Sequence, residues 1–219
     1  MAKLTWDQRK QHLYETGVDH GVFYPYDSEN DSYTPGVAWN GIINVSLNPE
    51  GGEPTVFYAD NIKYLSLTSV EELGFTIRAY YFPEEFRECD GSQELATGVF
   101  VGQQERKTFG FGYRTYLGDE VDYTKRGYML RLLYGATASP SGGDSETQND
   151  SPSAREFEWE CDTTPVPVSG KLPTAIVEID STKVNATKLA ELETILYGDA
   201  TSTPRLPLPD EIATLFSNT

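Results

Sequence analysis

His12 and His20 are the chain's only histidines, and an imidazole beside a serine or cysteine is the usual route to an activated nucleophile. Both lie in an N-terminal stretch that reads as peripheral, which argues against such a site. The sequence has no G-x-S-x-G elbow, no Walker loop and no G-x-G-x-x-G. Gly110 and Gly112 fall inside a strand-like run instead of between a strand and a helix, so they build no phosphate cradle. Paired carboxylates are the next candidates for acid and base chemistry or calcium binding. Glu84, Glu85, Glu88 and Asp90 form the densest acidic patch, and Asp119, Glu120 and Asp122 a second. The calcium-loop spacing D-x-[DN]-x-[DN]-G is absent, and two exposed turns account for both patches. Cys89 and Cys161 lack the close Cys or His spacing of a zinc site; two free thiols are expected, with pairing left open. Trp39, Tyr80, Tyr81, Phe82 and Trp159 could offer flat rings to a carbohydrate, but core packing explains them more cheaply, since aromatics at alternating strand positions are more often the inside of a sandwich. The expectation is a chain that is not an enzyme, with no catalytic, cofactor-binding or metal-binding residues.

The elements that would position these residues are mostly strands. The runs Val37–Leu47, Thr55–Ala59, Ile62–Thr68 and Phe75–Phe82 are rich in β-branched and aromatic residues and separated by turn formers such as Asn48-Pro49-Glu50-Gly51-Gly52. They predict a meander, with a tight hairpin at Asp60-Asn61 and a reversal at Glu71-Glu72-Leu73-Gly74. A second β block spans 97–135. Within it Thr108–Tyr116 alternates aromatic with small residues, which puts rings on one face and leaves the other nearly bare. Tyr128–Tyr134 predicts a strand buried on both sides or lying between subunits. Residues 136–154 have almost no apolar side chain to bury and predict an extended loop. Strands follow at Glu156–Cys161 and Thr174–Ile179. Asn185 is the expected N-cap of a helix whose Leu189, Leu192, Ile195 and Leu196 share one face and which ends at Gly198. A last short helix begins near Pro209 and buries Ile212, Leu215 and Phe216.

Length and composition fit one β-rich domain: 219 residues, 38% hydrophobic and 12% aromatic. A formal net charge of −17 opposes binding to nucleic acid phosphates or an anionic membrane, and it favours solubility. No run approaches the roughly 18 apolar residues of a membrane span, and the N-terminus lacks a secretory signal pattern, so a cytoplasmic origin is expected. The sequons at Asn44 and Asn185 are then chance matches.

Asp122-Tyr123-Thr124-Lys125-Arg126-Gly127-Tyr128-Met129-Leu130-Arg131-Leu132-Leu133-Tyr134-Gly135-Ala136-Thr137-Ala138-Ser139-Pro140 resembles the major tail proteins, or tail tube proteins, of siphophages, the long non-contractile-tailed bacteriophages, in particular those of Gram-positive hosts. Trp159 with Thr163–Val168, Ala175–Ser181, Leu192–Gly198 and Pro204–Pro209 resembles the same family in the same order. The resemblance implies a mainly β fold of the β-sandwich or β-barrel tail tube type, with a flanking α-helix in the C-terminal half and extended arms. It implies a single tail tube domain over 1–219, with an N-terminal arm at 1–35, a long polar loop at 136–154 and a C-terminal arm at 199–219. It further implies a structural virion subunit, assembled in the bacterial host cytoplasm into stacked hexameric rings through which genomic double-stranded DNA is ejected. The implied partners are further copies of the chain, a tape measure protein, a tail terminator and distal tail proteins. The alternative reading is a carbohydrate- or receptor-binding β-sandwich module.

Overall fold

The computed structural model describes residues 4–143, 145–147, 150 and 153–217. In chain order the strands are β1 (Tyr14–Asp27), β2 (Ser32–Tyr33), β3 (Val37–Trp39), β4 (Ile42–Gly51), β5 (Pro54–Ala59), β6 (Ile62–Thr68), β7 (Glu71–Ala79), β8 (Gln93–Ala96), β9 (Val99–Val101), β10 (Phe109–Asp119), β11 (Tyr123–Ala138), β12 (Phe157–Thr163) and β13 (Ile176–Asp180). A 3-10 turn occupies Glu84–Glu88, and the helices are α1 (Ala186–Tyr197) and α2 (Pro209–Ser217). The fold is mainly β, with both α-helices in the C-terminal half, as the sequence predicts.

One antiparallel sheet runs β2-β1-β10-β11-β12-β7-β4, with β3 on β1 and β13 on β11. Strand β11 is its corner. Met129–Leu133 pair with β13, whereas Ala136–Ala138 pair with β12. Between them Gly135 sits at φ +60, where an added Cβ would meet the Thr164 carbonyl at 2.1 Å, so glycine is required for the bend. The bulge also switches side-chain parity: Leu133, Ala136 and Ala138 share one core, while Leu130, Leu132 and Tyr134 enter another.

The sheet thereby folds into two facing layers. Phe75 on β7 stacks on Phe111 of β10 with centroids 6.3 Å apart, although two strands separate them in the ladder. Phe23, Trp39, Phe86, Phe109 and Trp159 fill the space between the layers. The alternation in Thr108–Tyr116 has the expected result. Phe109, Phe111 and Tyr113 enter this core, and the glycine face receives Leu206 against Gly110 and Tyr24 against Gly112. Helix α1 covers that second face. The Asn185 side-chain Oδ1 accepts from the Thr187 amide at 2.9 Å, Leu189, Leu192 and Leu196 are buried, and Gly198 ends the helix at φ +73. Each buried leucine contributes about 1.5–3 kcal/mol of transfer free energy.

Four expectations need amendment. Residues 14–27 of the expected N-terminal arm form β1, which lies inside the sheet and is paired with β10. Glu71–Gly74 is not a reversal: it opens β7 and pairs with Asn48–Gly51, so tertiary pairing overrides local turn chemistry. Residues 136–138 of the expected loop belong to β11, and part of the remaining loop lies outside the described residues. The expected C-terminal arm carries Leu206 and Ile212 into the core beside α1, and the Tyr134 hydroxyl donates to the Pro207 carbonyl at 2.9 Å.

Candidate functional site

The two acidic patches do not converge on a common point. Asp119 is fully buried at the end of β10, where its carboxylate accepts from the Asp122 amide at 2.7 Å and the Val121 amide at 2.8 Å. These backbone bonds hold its carboxyl below the ordinary value, and their product is a closed β10–β11 turn. Glu120 accepts from the Lys10 amide, and Asp122 pairs with the Lys10 ammonium at 3.2 Å. Glu84 and Glu85 occupy the first turn of the 3-10 helix, and Glu88 pairs with Lys107 at 2.6 Å. Asp90 accepts from the Trp159 indole at 3.0 Å, and burial raises its carboxyl above the ordinary value. Among the described residues no group of three or more His, Cys, Asp and Glu could hold a metal ion.

The other candidates scatter in the same way. His12 lies 3.7 Å from Glu120 at the surface, and His20 belongs to the arginine cluster around Arg114. Cys89 and Cys161 are free thiols in the core between the layers, and burial pushes Cys89 up to about 12 and Cys161 further. Thiols so disfavoured as thiolates are poor nucleophiles. Trp39 and Trp159 meet edge to face at 5.5 Å inside the core, and Phe82 packs on Trp159. Of the candidate carbohydrate platform only Tyr80 and Tyr81 remain exposed, so no flat aromatic surface forms from these five residues.

Two arginine clusters escaped sequence reasoning, although each shows there as a lone cation in an aromatic or apolar strand. Arg131 on β11 bonds Glu15 on β1 and Glu178 on β13, the latter at 2.6 Å. Arg131 is the main cause of a Glu15 carboxyl below its ordinary value. Arg114 on β10 grips Asp19 through two bonds of 3.2 Å, lies 3.5 Å from Glu193 of α1, and stacks 4.6 Å from the Tyr128 ring centroid. Burial opposes the Asp19 charge, but the bonds from Arg114 and Tyr116 outweigh it and lower its carboxyl. Both clusters clamp β1 where its register slips, between Thr16 and Asp19 and between Asp19 and Val22. They serve the fold, and neither opens into a cleft with a nucleophile.

The surface feature that the fold leaves unexplained is a ribbon. Strands β5 and β6 pair only with each other, and every β6 residue is exposed. Tyr58 is 73% exposed, Tyr64 69%, Leu67 58% and the adjoining Val70 80%, with Phe57, Ile62 and Leu65 also in solvent. An isolated two-stranded ribbon is marginal in water, and contiguous apolar exposure on this scale marks an interaction surface. The Asp60-Asn61 turn is present as predicted, with both residues at positive φ. Only Asp60 and Lys63 are charged between residues 54 and 68, so the ribbon is formally neutral in a chain of −17. Open strand edges among the described residues include the outer side of β4 and the β1 residues Tyr14–Asp19 opposite β10.

No protein-family model matches the sequence, and no curated protein matches it. Several solved structures overlap with the fold, and two of them are tail-like assemblies. One is the extended sheath-tube complex of an extracellular contractile injection system, PVC, with 11% identity and a TM-score of 0.35 over 74% of this chain and 88% of that one. The other is the baseplate of the anti-feeding prophage, AFP, with 11% identity and a TM-score of 0.37 over 84% of this chain and 100% of that one. At such identity and TM-score the overlaps carry no functional inference for this chain.

Proposed function

We propose that the chain is a non-enzymatic structural subunit that assembles with copies of itself, as the tail tube protein of a siphophage virion. The observation that carries this reading is the β5–β6 ribbon: apolar, formally neutral, exposed along most of its length and inserted in the chain between β4 and β7. Insertion of the ribbon beside the open edge of a neighbouring copy would pair its backbone and cover its side chains. The sequence resemblance supports the finer reading. In it, hexameric rings formed in the host cytoplasm stack into a tube that engages a tape measure protein, a terminator and distal tail proteins. Acidic side chains along its lumen would let double-stranded DNA pass without adhering.

Electron microscopy with analytical sedimentation tests the reading. The purified chain should form rings or tubes of uniform bore that retain no duplex DNA at low salt. A Phe57→Lys, Leu67→Lys double variant should stay monomeric, with its thermal midpoint unchanged because both positions face solvent. A wild-type chain that remains monomeric at high concentration sinks the proposal, and specific glycan affinity of that monomer would favour the binding-module reading.

A further inference from the structure

The corner between β3 and β4 holds the sequence Asn40-Gly41, the chain's only asparagine followed by glycine. Asn40 and Gly41 are both exposed. Among the described residues nothing bonds the Asn40 carboxamide or the Gly41 amide; the corner is held instead by the Gly41 carbonyl, which accepts from the Tyr80 amide at 2.9 Å. Gly41 sits at φ +80, and without a side chain it leaves its nitrogen open to the preceding carboxamide. From these features we propose that Asn40 is a site of spontaneous covalent modification, converting to isoaspartate and aspartate through a cyclic imide. The inference stands whether or not the assembly reading holds.

The chemistry balances with water alone. The Gly41 amide gives its proton to solvent, and its nitrogen attacks Asn40 Cγ. A nitrogen–carbon bond forms, the bond from Cγ to Nδ2 breaks, and ammonia leaves with a proton. Water then opens the imide at either carbonyl. Opening at the main-chain carbonyl routes the backbone through Cβ and yields isoaspartate; opening at the other yields aspartate. Both products add a carboxylate.

The other described asparagines are protected by the same criteria. Asn48 precedes Pro49, which has no amide to attack, and donates to Thr76 at 3.0 Å. Asn44 lies within β4, accepts from Ser46 at 2.7 Å and precedes a β-branched valine. Asn30 donates to Asp27 at 2.7 Å, and Asn185 is occupied as the α1 cap. Asn61 precedes the β-branched Ile62.

The conversion bears on the fold, because residue 40 lies between two tethers. The Trp39 indole donates to the Tyr81 carbonyl at 2.7 Å, and the Gly41 carbonyl holds Tyr80 just before the first β4–β7 pair, Ile42 with Ala79. An added backbone carbon between them pulls Gly41 away from Tyr80 and loosens the start of β4.

The test incubates the full folded chain in warm, mildly alkaline buffer and maps its peptides by mass spectrometry, with enzymatic labelling of isoaspartate. The Asn40 peptide should lose its amide ahead of those containing Asn44 and Asn48, with isoaspartate as the larger product, and the thermal midpoint should fall in step. An Asn40→Ser chain, incubated in parallel, should keep its midpoint. Retention of the Asn40 amide in the folded chain, while the same chain in urea loses it, overturns the proposal. Equal decay of the midpoint in wild type and Asn40→Ser overturns the structural consequence.

Discussion

Arg131 shows how single side chains hold an irregular strand in place. It reaches across β10 to Glu15 on β1 and binds Glu178 on β13, and its own side chain is only 12% exposed. Replacement by methionine keeps most of the stem packing and removes the charge. Breaking a fully buried pair costs roughly 3–5 kcal/mol, but Glu15 and Glu178 are partly in solvent, so the expected loss is about 1–2 kcal/mol. Urea unfolding at neutral pH with an unchanged m-value would measure it. The pH dependence has a definite sign. Folding lowers the Glu15 carboxyl from 4.5, so its contribution is fully present above the unfolded value and is lost as pH falls through the lower folded value. The gap between wild type and Arg131→Met should therefore narrow in acid; a gap independent of pH would show that Glu15 is not the partner that matters.

Elements depend on one another most visibly at Gly110. An alanine Cβ there would lie 2.4 Å from Leu206 Cδ2 and 3.0 Å from the Tyr33 ring, so the C-terminal segment docks on β10 only because that face is bare. Gly110→Ala should cost about 1–3 kcal/mol, as overpacking in a core does, and should speed hydrogen exchange in α2 before the sheet itself opens. Uniform exchange across both would mean that α2 and the sheet open as one unit. The bare face was legible in the alternation of 108–116, but its occupant was not, because Leu206 arrives from nearly a hundred residues away in a proline-rich run that has no period. Strand β1 was missed for a related reason. Positive φ at Gly17 and His20 marks two slips in its pairing, and each slip breaks the two-residue alternation that reveals a strand. Glu71–Gly74 read as a turn because two glutamates and a glycine interrupt the β-branched and aromatic pattern, whereas its backbone partners at Asn48–Gly51 decide its conformation. The candidate assembly surface was half legible. The β5 and β6 runs and their turn follow from local chemistry, but their lack of any cover is a property of the whole fold.

At the scale of the molecule, a formal charge of −17 sets the terms on which copies can meet. Each subunit added to an assembly brings like charge close to like charge, and this repulsion weakens as salt shortens the screening length from about 10 Å at 0.1 M to about 3 Å at 1 M. The proposed contact is of a different kind: Tyr64, Leu65, Leu67 and Phe57 meet a partner with only Asp60 and Lys63 charged nearby, so salt removes little attraction there. Self-association should therefore begin at lower protein concentration as sodium chloride rises from roughly 0.05 M toward 1 M, read as the midpoint of sedimenting material. The Phe57→Lys, Leu67→Lys chain should stay unassociated across that range, since screening repulsion does not restore lost apolar contact. Assemblies that dissolve as salt rises would mean that ion pairs hold the subunits together, and the ribbon would then not be the surface through which copies of this chain associate.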